Sequence, residues 1–61
     1  MISSERKDQL LRWCGVYYAQ GYSLSRAIEA MQATTEEELD LVVALWAEED
    51  VNKINEIMER F

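Results

Sequence analysis

The chain has 61 residues, a formal net charge of −6, no histidine, no proline and one cysteine. A domain of this length buries only about 60% of the surface that its unfolded chain exposes, so helix packing or self-association must support a small core. The single cysteine excludes an internal disulfide, and the usual zinc sites of cysteine and histidine cannot be assembled.

The near absence of helix-breaking residues favours helix throughout the chain. Glycine occurs only at Gly15 and Gly21. We therefore expect one all-α domain of residues 1–61, with two shorter helices, one long C-terminal helix and a dimeric helical bundle as the assembly.

The sequence also predicts a soluble, cytoplasmic protein without membrane contact. The N-terminal residues lack the apolar segment of a secretory signal. The longest apolar run, 41–47, is far shorter than the ~20 residues that cross a bilayer. A lone Cys14 suits a reducing compartment.

The first helix is predicted to begin at Ser3 or Ser4 and to run to about Gln20, where Gly21 suits the left-handed conformation that ends many helices. A glycine inside this helix, Gly15, suggests close approach by a bulky neighbour, for which Trp46 is the candidate. The apolar residues with helical spacing are Leu10, Leu11, Cys14, Tyr17 and Tyr18, and this stripe is expected to face the core.

A second face of the first helix is a candidate binding site. Trp13 and Val16 do not fit the core stripe, and Arg12 is their neighbour. Because exposed aromatic residues are enriched at the hot spots of interfaces, we predict partner binding there, with core packing in a dimer as the alternative.

The second helix is short. Ser23 is its predicted N-cap, and Leu24, Ala27, Ile28 and Met31 repeat with helical spacing. We expect this helix to end near Ala33.

The third helix begins with a capping box, in which Thr35 caps the helix and Glu38 reaches back to it. Helical spacing then continues past Asp50 without Gly or Pro, through Leu39, Val43, Ala47, Val51, Ile54 and Met58. Two i, i+4 ion pairs, Glu49 with Lys53 and Glu56 with Arg60, support the same interpretation. We therefore predict one helix over residues 36–60, the alternative being a break near Asp50 that folds the last segment back as a fourth helix of a monomeric bundle.

A helix of this length would extend beyond the two that cover it, and an exposed apolar end usually marks an interface. We therefore expect a homodimer or a higher symmetric assembly, and we favour the dimer because two-fold pairs are the commonest assembly. The predicted dimer interface consists of Val43, Ala47, Val51, Ile54, Ile57, Met58 and Phe61.

The C-terminal part of the chain carries most of the negative charge. Residues 34–61 contain nine acidic and two basic residues, whereas residues 1–33 contain three acidic and four basic ones. Such a surface attracts a basic partner, and the plainer explanation is solubility. The acidic residues expected to bind a partner are Glu36, Glu37, Asp40 and Glu48.

Catalytic groups are scarce. No histidine is present for acid–base chemistry, and Cys14 lies on an apolar stripe without a base to ionise it. The acidic clusters lie on predicted helices and lack the glycine-containing loop of calcium sites. We expect no enzyme activity, no metal site and no cofactor.

The segment from Tyr18 to Met31, with Gly21-Tyr22-Ser23-Leu24 between two helices, resembles the helix-turn-helix DNA-binding domains over roughly residues 10–47. The resemblance implies three helices, the third of which would enter the major groove. Here that helix opens with Glu36, Glu37 and Glu38, which phosphates repel, so we expect no direct nucleic-acid binding.

The function expected from these features is that of a small acidic regulator or adaptor that binds another protein as a homodimer. Such a chain suits an accessory or inhibitory protein of a phage, plasmid or bacterial operon. One alternative is a nucleic-acid mimic, whose carboxylates occupy a DNA-binding protein, and another is a purely structural assembly module. The carboxylates of the mimic would be those of Glu36, Glu37, Glu38, Asp40, Glu48, Glu49 and Asp50.

Overall fold

Four helices and no strand make up the fold in a computed structural model that describes residues 1–61. The helices are α1 (Ser4–Ala19), α2 (Leu24–Met31), α3 (Glu36–Leu45) and α4 (Val51–Arg60). The all-α class is confirmed. The expected number of three helices is wrong, because residues 36–60 form two helices joined by a short loop.

Each helix begins at a side-chain cap, which explains why the local boundaries follow the sequence closely. Ser3 accepts a hydrogen bond from the amide of Arg6 at 3.1 Å, and Ser23 accepts one from Arg26 at 3.3 Å. Thr35 Oγ1 accepts a bond from the Glu38 amide at 3.1 Å. A cap of this kind stabilises a helix by about 1 kcal/mol. The predicted caps of the first three helices are confirmed.

The helix break after Leu45 corrects the predicted continuous helix. Trp46 is extended, and Ala47 has a left-handed backbone with φ of 62°. Asp50 Oδ1 then accepts a hydrogen bond from the amide of Asn52 at 2.9 Å, so Asp50 caps α4.

The physical reason lies in the residues that would continue the buried face of α3. Leu41, Val42 and Leu45 are buried. An uninterrupted helix would bring residues 48, 49 and 52 to the same face, and all three are polar, so continuing it would place carboxylates against the core. The break avoids that cost. Neither of the ion pairs predicted across this region forms, since the chain contains only two salt bridges, both elsewhere.

The core lies where α1 packs against α2 and α3, and α4 packs against α3. All ten buried residues are apolar, and no buried side-chain polar atom lacks a partner. The core residues are Ile2, Leu10, Cys14, Ala27, Met31, Ala33, Leu41, Val42, Leu45 and Ile57.

Packing of α4 removes the argument that led to the expected dimer. Ile57 is buried in the chain's own core, and Ile54, Met58 and Phe61 are half-buried against it. They do not form the exposed apolar end of a long helix. The other three residues of the predicted interface, Val43, Ala47 and Val51, are exposed. A homodimer therefore remains a prediction, but the exposed apolar helix end from which it was predicted is not present in the structure.

Two consecutive basic residues of α1 form polar bonds to the other helices. Arg6 makes a forked ion pair with Glu38, with Nε to Oε2 at 3.1 Å and Nη2 to Oε1 at 3.2 Å. Arg6 Nη2 also donates to the carbonyl of Met31, at the C-terminal end of α2, at 2.8 Å. Lys7 Nζ donates to the carbonyl of Met58 in α4 at 3.0 Å. The first two turns of α1 therefore contact all three other helices through polar bonds.

Candidate protein-binding surfaces

The acidic side chains are mostly free of partners within the chain. Only two of the twelve form ion pairs: Glu37 binds the terminal ammonium of Met1 at 3.0 Å, and Glu38 binds Arg6. Of the ten others, nine are exposed and one, Glu48, is half-buried. These ten are Glu5, Asp8, Glu29, Glu36, Asp40, Glu48, Glu49, Asp50, Glu56 and Glu59.

The start of α3 shows how differently neighbouring carboxylates are used. The predicted capping box forms only in part, because the Glu38 carboxylate binds Arg6 and does not return to Thr35. Glu37 is also engaged, by Met1. Of the acidic residues predicted to bind a partner here, Glu36 and Asp40 are exposed without an ion pair.

The structure does not bring all the predicted acidic contacts into one patch. Glu36 and Glu37 begin α3, whereas Glu48 lies in the loop beyond its other end. Ten helical residues rise about 15 Å, so the two groups are separated by the length of α3. One interface includes both groups only if it extends along the whole length of α3.

The predicted aromatic site on α1 is partly exposed. Trp13 is half-buried and packs edge-on against Tyr17, with ring centroids 6.2 Å apart, while Val16 and Arg12 are exposed. Tyr17 in turn packs on Tyr22 at 4.7 Å. The Trp13 ring is therefore fixed by internal packing, and the side of α1 beside it offers an apolar surface next to a cation.

A more enclosed feature, not predicted from the sequence, lies between α1 and the loop that joins α3 to α4. We call it the elbow groove. Its volume is about 130 Å³, and six of its nine lining residues are hydrophobic. The lining consists of Leu11, Cys14, Gly15, Tyr18, Leu45, Ala47, Glu48, Glu49 and Ile54.

Gly15 opens this groove toward solvent. A Cβ added there would meet no atom within 4 Å, so the expectation that a bulky ring approaches Gly15 is wrong. Trp46 instead packs edge-on against Tyr18, with centroids 5.5 Å apart. Tyr18 was expected in the core but is 47% exposed. Glycine inside a helix costs about 1 kcal/mol relative to alanine, and no internal packing contact compensates for it here.

The opposite side of the groove is formed by an unusual backbone. Ala47 is one of only two residues other than glycine with positive φ, a conformation that costs a residue with a Cβ about 1–2 kcal/mol. Beside it, Glu48 Oε1 accepts a hydrogen bond from the Asp50 amide at 3.1 Å, which orients that carboxylate. The signal for this site in the sequence was Gly15, a glycine inside a helix.

The chemistry available at these surfaces is limited. Burial raises the pKa of the Cys14 thiol from 9.0 to about 11, which keeps it protonated and a poor nucleophile at neutral pH. No three potential metal-binding side chains lie close enough together to hold an ion. None of the four helices has the length and apolar character needed to cross a membrane.

Comparison with known proteins adds no assignment. No family model, no curated protein and no solved structure matches the chain. The surfaces of the molecule are therefore the basis for proposing its function.

Proposed function

We propose that the chain is a small protein-binding regulator or adaptor that recognises a basic surface of its partner. The observation that supports this proposal is the set of ten acidic side chains without an ion pair in the chain. Apart from Asp50, which caps α4, these unpaired surface carboxylates add little to folding and repel one another at a net charge of −6, whereas a basic partner would neutralise them. Charge complementarity of this kind accelerates association and selects among partners.

Binding without catalysis is part of the same proposal. The chain has no histidine, and its one thiol is buried with a raised pKa. We also propose that the protein acts in the reducing cytoplasm, because Cys14 is a free, buried thiol. These features are typical of a protein that acts through its surface.

The test is capture of partners from extracts of the native host, followed by affinity measurements at low and high salt. A basic partner whose affinity falls steeply as salt rises supports the proposal, because salt screens exposed charges. A partner that binds equally well at both salt concentrations contradicts it. If the partner binds DNA, competition by duplex DNA would favour the nucleic-acid mimic over an adaptor.

Pairs of charge-neutralising substitutions locate the acidic residues involved. Glu36→Gln with Asp40→Asn removes two charges from α3, and Glu56→Gln with Glu59→Gln removes two from α4, so each pair is a control for the other. If one of these pairs lies in the contact surface, neutralising it should weaken binding at least tenfold more than neutralising the other pair. Equal small effects of both pairs would exclude both of these acidic groups from the contact surface.

Self-association is a separate prediction, and Val43, Ala47 and Val51 are the exposed residues of its predicted interface. Light scattering at micromolar concentration measures it directly. A mass of 7.1 kDa would show a monomer and would leave the partner-binding proposal intact.

A further inference from the structure

We propose that the elbow groove is the docking site, within the protein-binding function proposed above, for one apolar side chain of a basic peptide segment. The peptide would place a leucine-sized or aromatic side chain in the groove, with lysine or arginine next to it. This inference rests on the proposed function and names the site and the chemical class of the partner.

The size of the groove selects a side chain and not a larger ligand. Its volume is about 130 Å³. An apolar cavity of ~150 Å³ holds a benzene ring, whereas sites for drug-sized molecules are usually about 300 Å³ or more. Leu11, Leu45 and Ile54 supply apolar walls, and Tyr18 adds an exposed aromatic ring of the type enriched at interface hot spots.

The charge at the edge of the groove selects basic neighbours for that side chain. Glu48 and Glu49 are the charged residues in the lining, and the lining contains no basic residue. Neither carboxylate forms an ion pair within the chain. A lysine or arginine beside the docked side chain would supply the missing partner.

Gly15 leaves room for the backbone of the incoming peptide. It is exposed, and the space where a Cβ would stand is empty. Absence of a side chain allows another backbone to approach closely, which is a common role of glycine beside a ligand. The groove is therefore open on the side from which a peptide can enter.

The experiment is a titration of the ¹⁵N-labelled full chain, followed by NMR, with a short peptide that carries one leucine flanked by lysines. Two control peptides replace the leucine by serine or the lysines by glutamate. Gly15→Leu fills the groove, and Ala19→Leu is the matched control, because Ala19 is exposed one turn further along α1 and outside the groove.

The expected result is shifts of the amide signals of Gly15, Tyr18 and Glu49, with affinity reduced at least tenfold by Gly15→Leu and unchanged by Ala19→Leu. Both control peptides should bind at least tenfold more weakly. The spectra of the free variants establish that each is folded.

Three outcomes would overturn the inference. Shifts confined to acidic residues away from the groove would refute it and leave the proposed function standing. Equal binding by the wild type and Gly15→Leu would refute it in the same way. No shifts with the lysine-flanked peptide at low salt would also refute it, whereas the proposed function is tested separately by the salt dependence of partner binding.

Discussion

Replacing Gly15 with alanine is expected to stabilise the protein. Gly15 lies inside α1, its φ is not positive, and a Cβ there meets no atom within 4 Å. Alanine therefore gains its helix preference of about 1 kcal/mol without a steric cost. For a domain of this size, that gain corresponds to a rise in Tm of about 4–8 °C, measured by circular dichroism during heating.

Gly21→Ala is the matched control for this prediction. A Cβ at Gly21 also meets no atom within 4 Å, but Gly21 has φ of +84° and ends α1. The left-handed conformation costs alanine about 1–2 kcal/mol, so this substitution should lower Tm by a similar number of degrees. Both substitutions reduce the conformational freedom of the unfolded chain equally. The difference between their changes in Tm therefore reports the effect of the backbone conformation in the folded state.

A decrease in Tm for Gly15→Ala, comparable to that for Gly21→Ala, would refute this reasoning. It would mean that the space beside Gly15 is occupied in the folded chain and that the elbow groove is closed in solution. Urea unfolding of the same two variants provides an independent measurement of the difference in stability.

Three further predictions concern single side chains. Arg6→Met should lower the free energy of unfolding by about 2–3 kcal/mol in urea titrations, because Glu38 and the Met31 carbonyl lose their hydrogen-bond donor. Glu38→Gln should cause a matching loss. Little further loss in the double variant would show that the pair acts as a unit. Asp50→Ala should cost about 1 kcal/mol by loss of the α4 cap, while Asp50→Ser should cost much less, and equal losses would contradict a capping role. At pH 7, alkylation of Cys14 by iodoacetamide should be at least a hundredfold slower than alkylation of a free thiol. The rate should rise with pH up to about pH 11, and a plateau near pH 9 would show that the pKa of Cys14 is unshifted.

Stability should also fall at alkaline pH. The thiol of Cys14 titrates at about 9 in the unfolded chain and at about 11 in the folded protein. Below pH 9 both states hold the proton, and above it the unfolded state releases its proton first, so folding stability declines between pH 9 and 11.

The sequence was sufficient to predict the class of the fold and most helix ends, because those depend on local chemistry. Ser23 and Thr35 cap helices through bonds to amides three residues ahead, and Gly21 is the left-handed residue that ends α1. Each signal lies within a few residues of the boundary that it determines. Tertiary packing reinforces these preferences here.

The break between α3 and α4 was the alternative and not the main prediction, because helical spacing alone does not tell which residues share a buried face. Val43 and Val51 continue the helical spacing but are 56% and 68% exposed. The buried face passes through Leu41 and Leu45, and its continuation meets Glu48 and Glu49. Following that face would have predicted the break.

The elbow groove could not be predicted, since it depends on how the loop after α3 lies against α1. Nothing in the local sequence indicates that Ala47 adopts a left-handed conformation. The partner of Arg6 was equally hidden, because Glu38 is 32 positions away in the chain. Gly15 indicated a special environment on one side of α1, but it predicted a bulky neighbour there and not an open groove.

The adjacent bonds of Arg6 and Lys7 make the register of α1 difficult to change by insertion or deletion. One residue inserted between Lys7 and the buried Leu10 would rotate both basic side chains by roughly 100° relative to the core face of the helix. Either the polar bonds to the other helices or the apolar packing would then be lost. Length variation among related chains should therefore be confined to the three interhelical loops, whereas α1 should keep its number of residues.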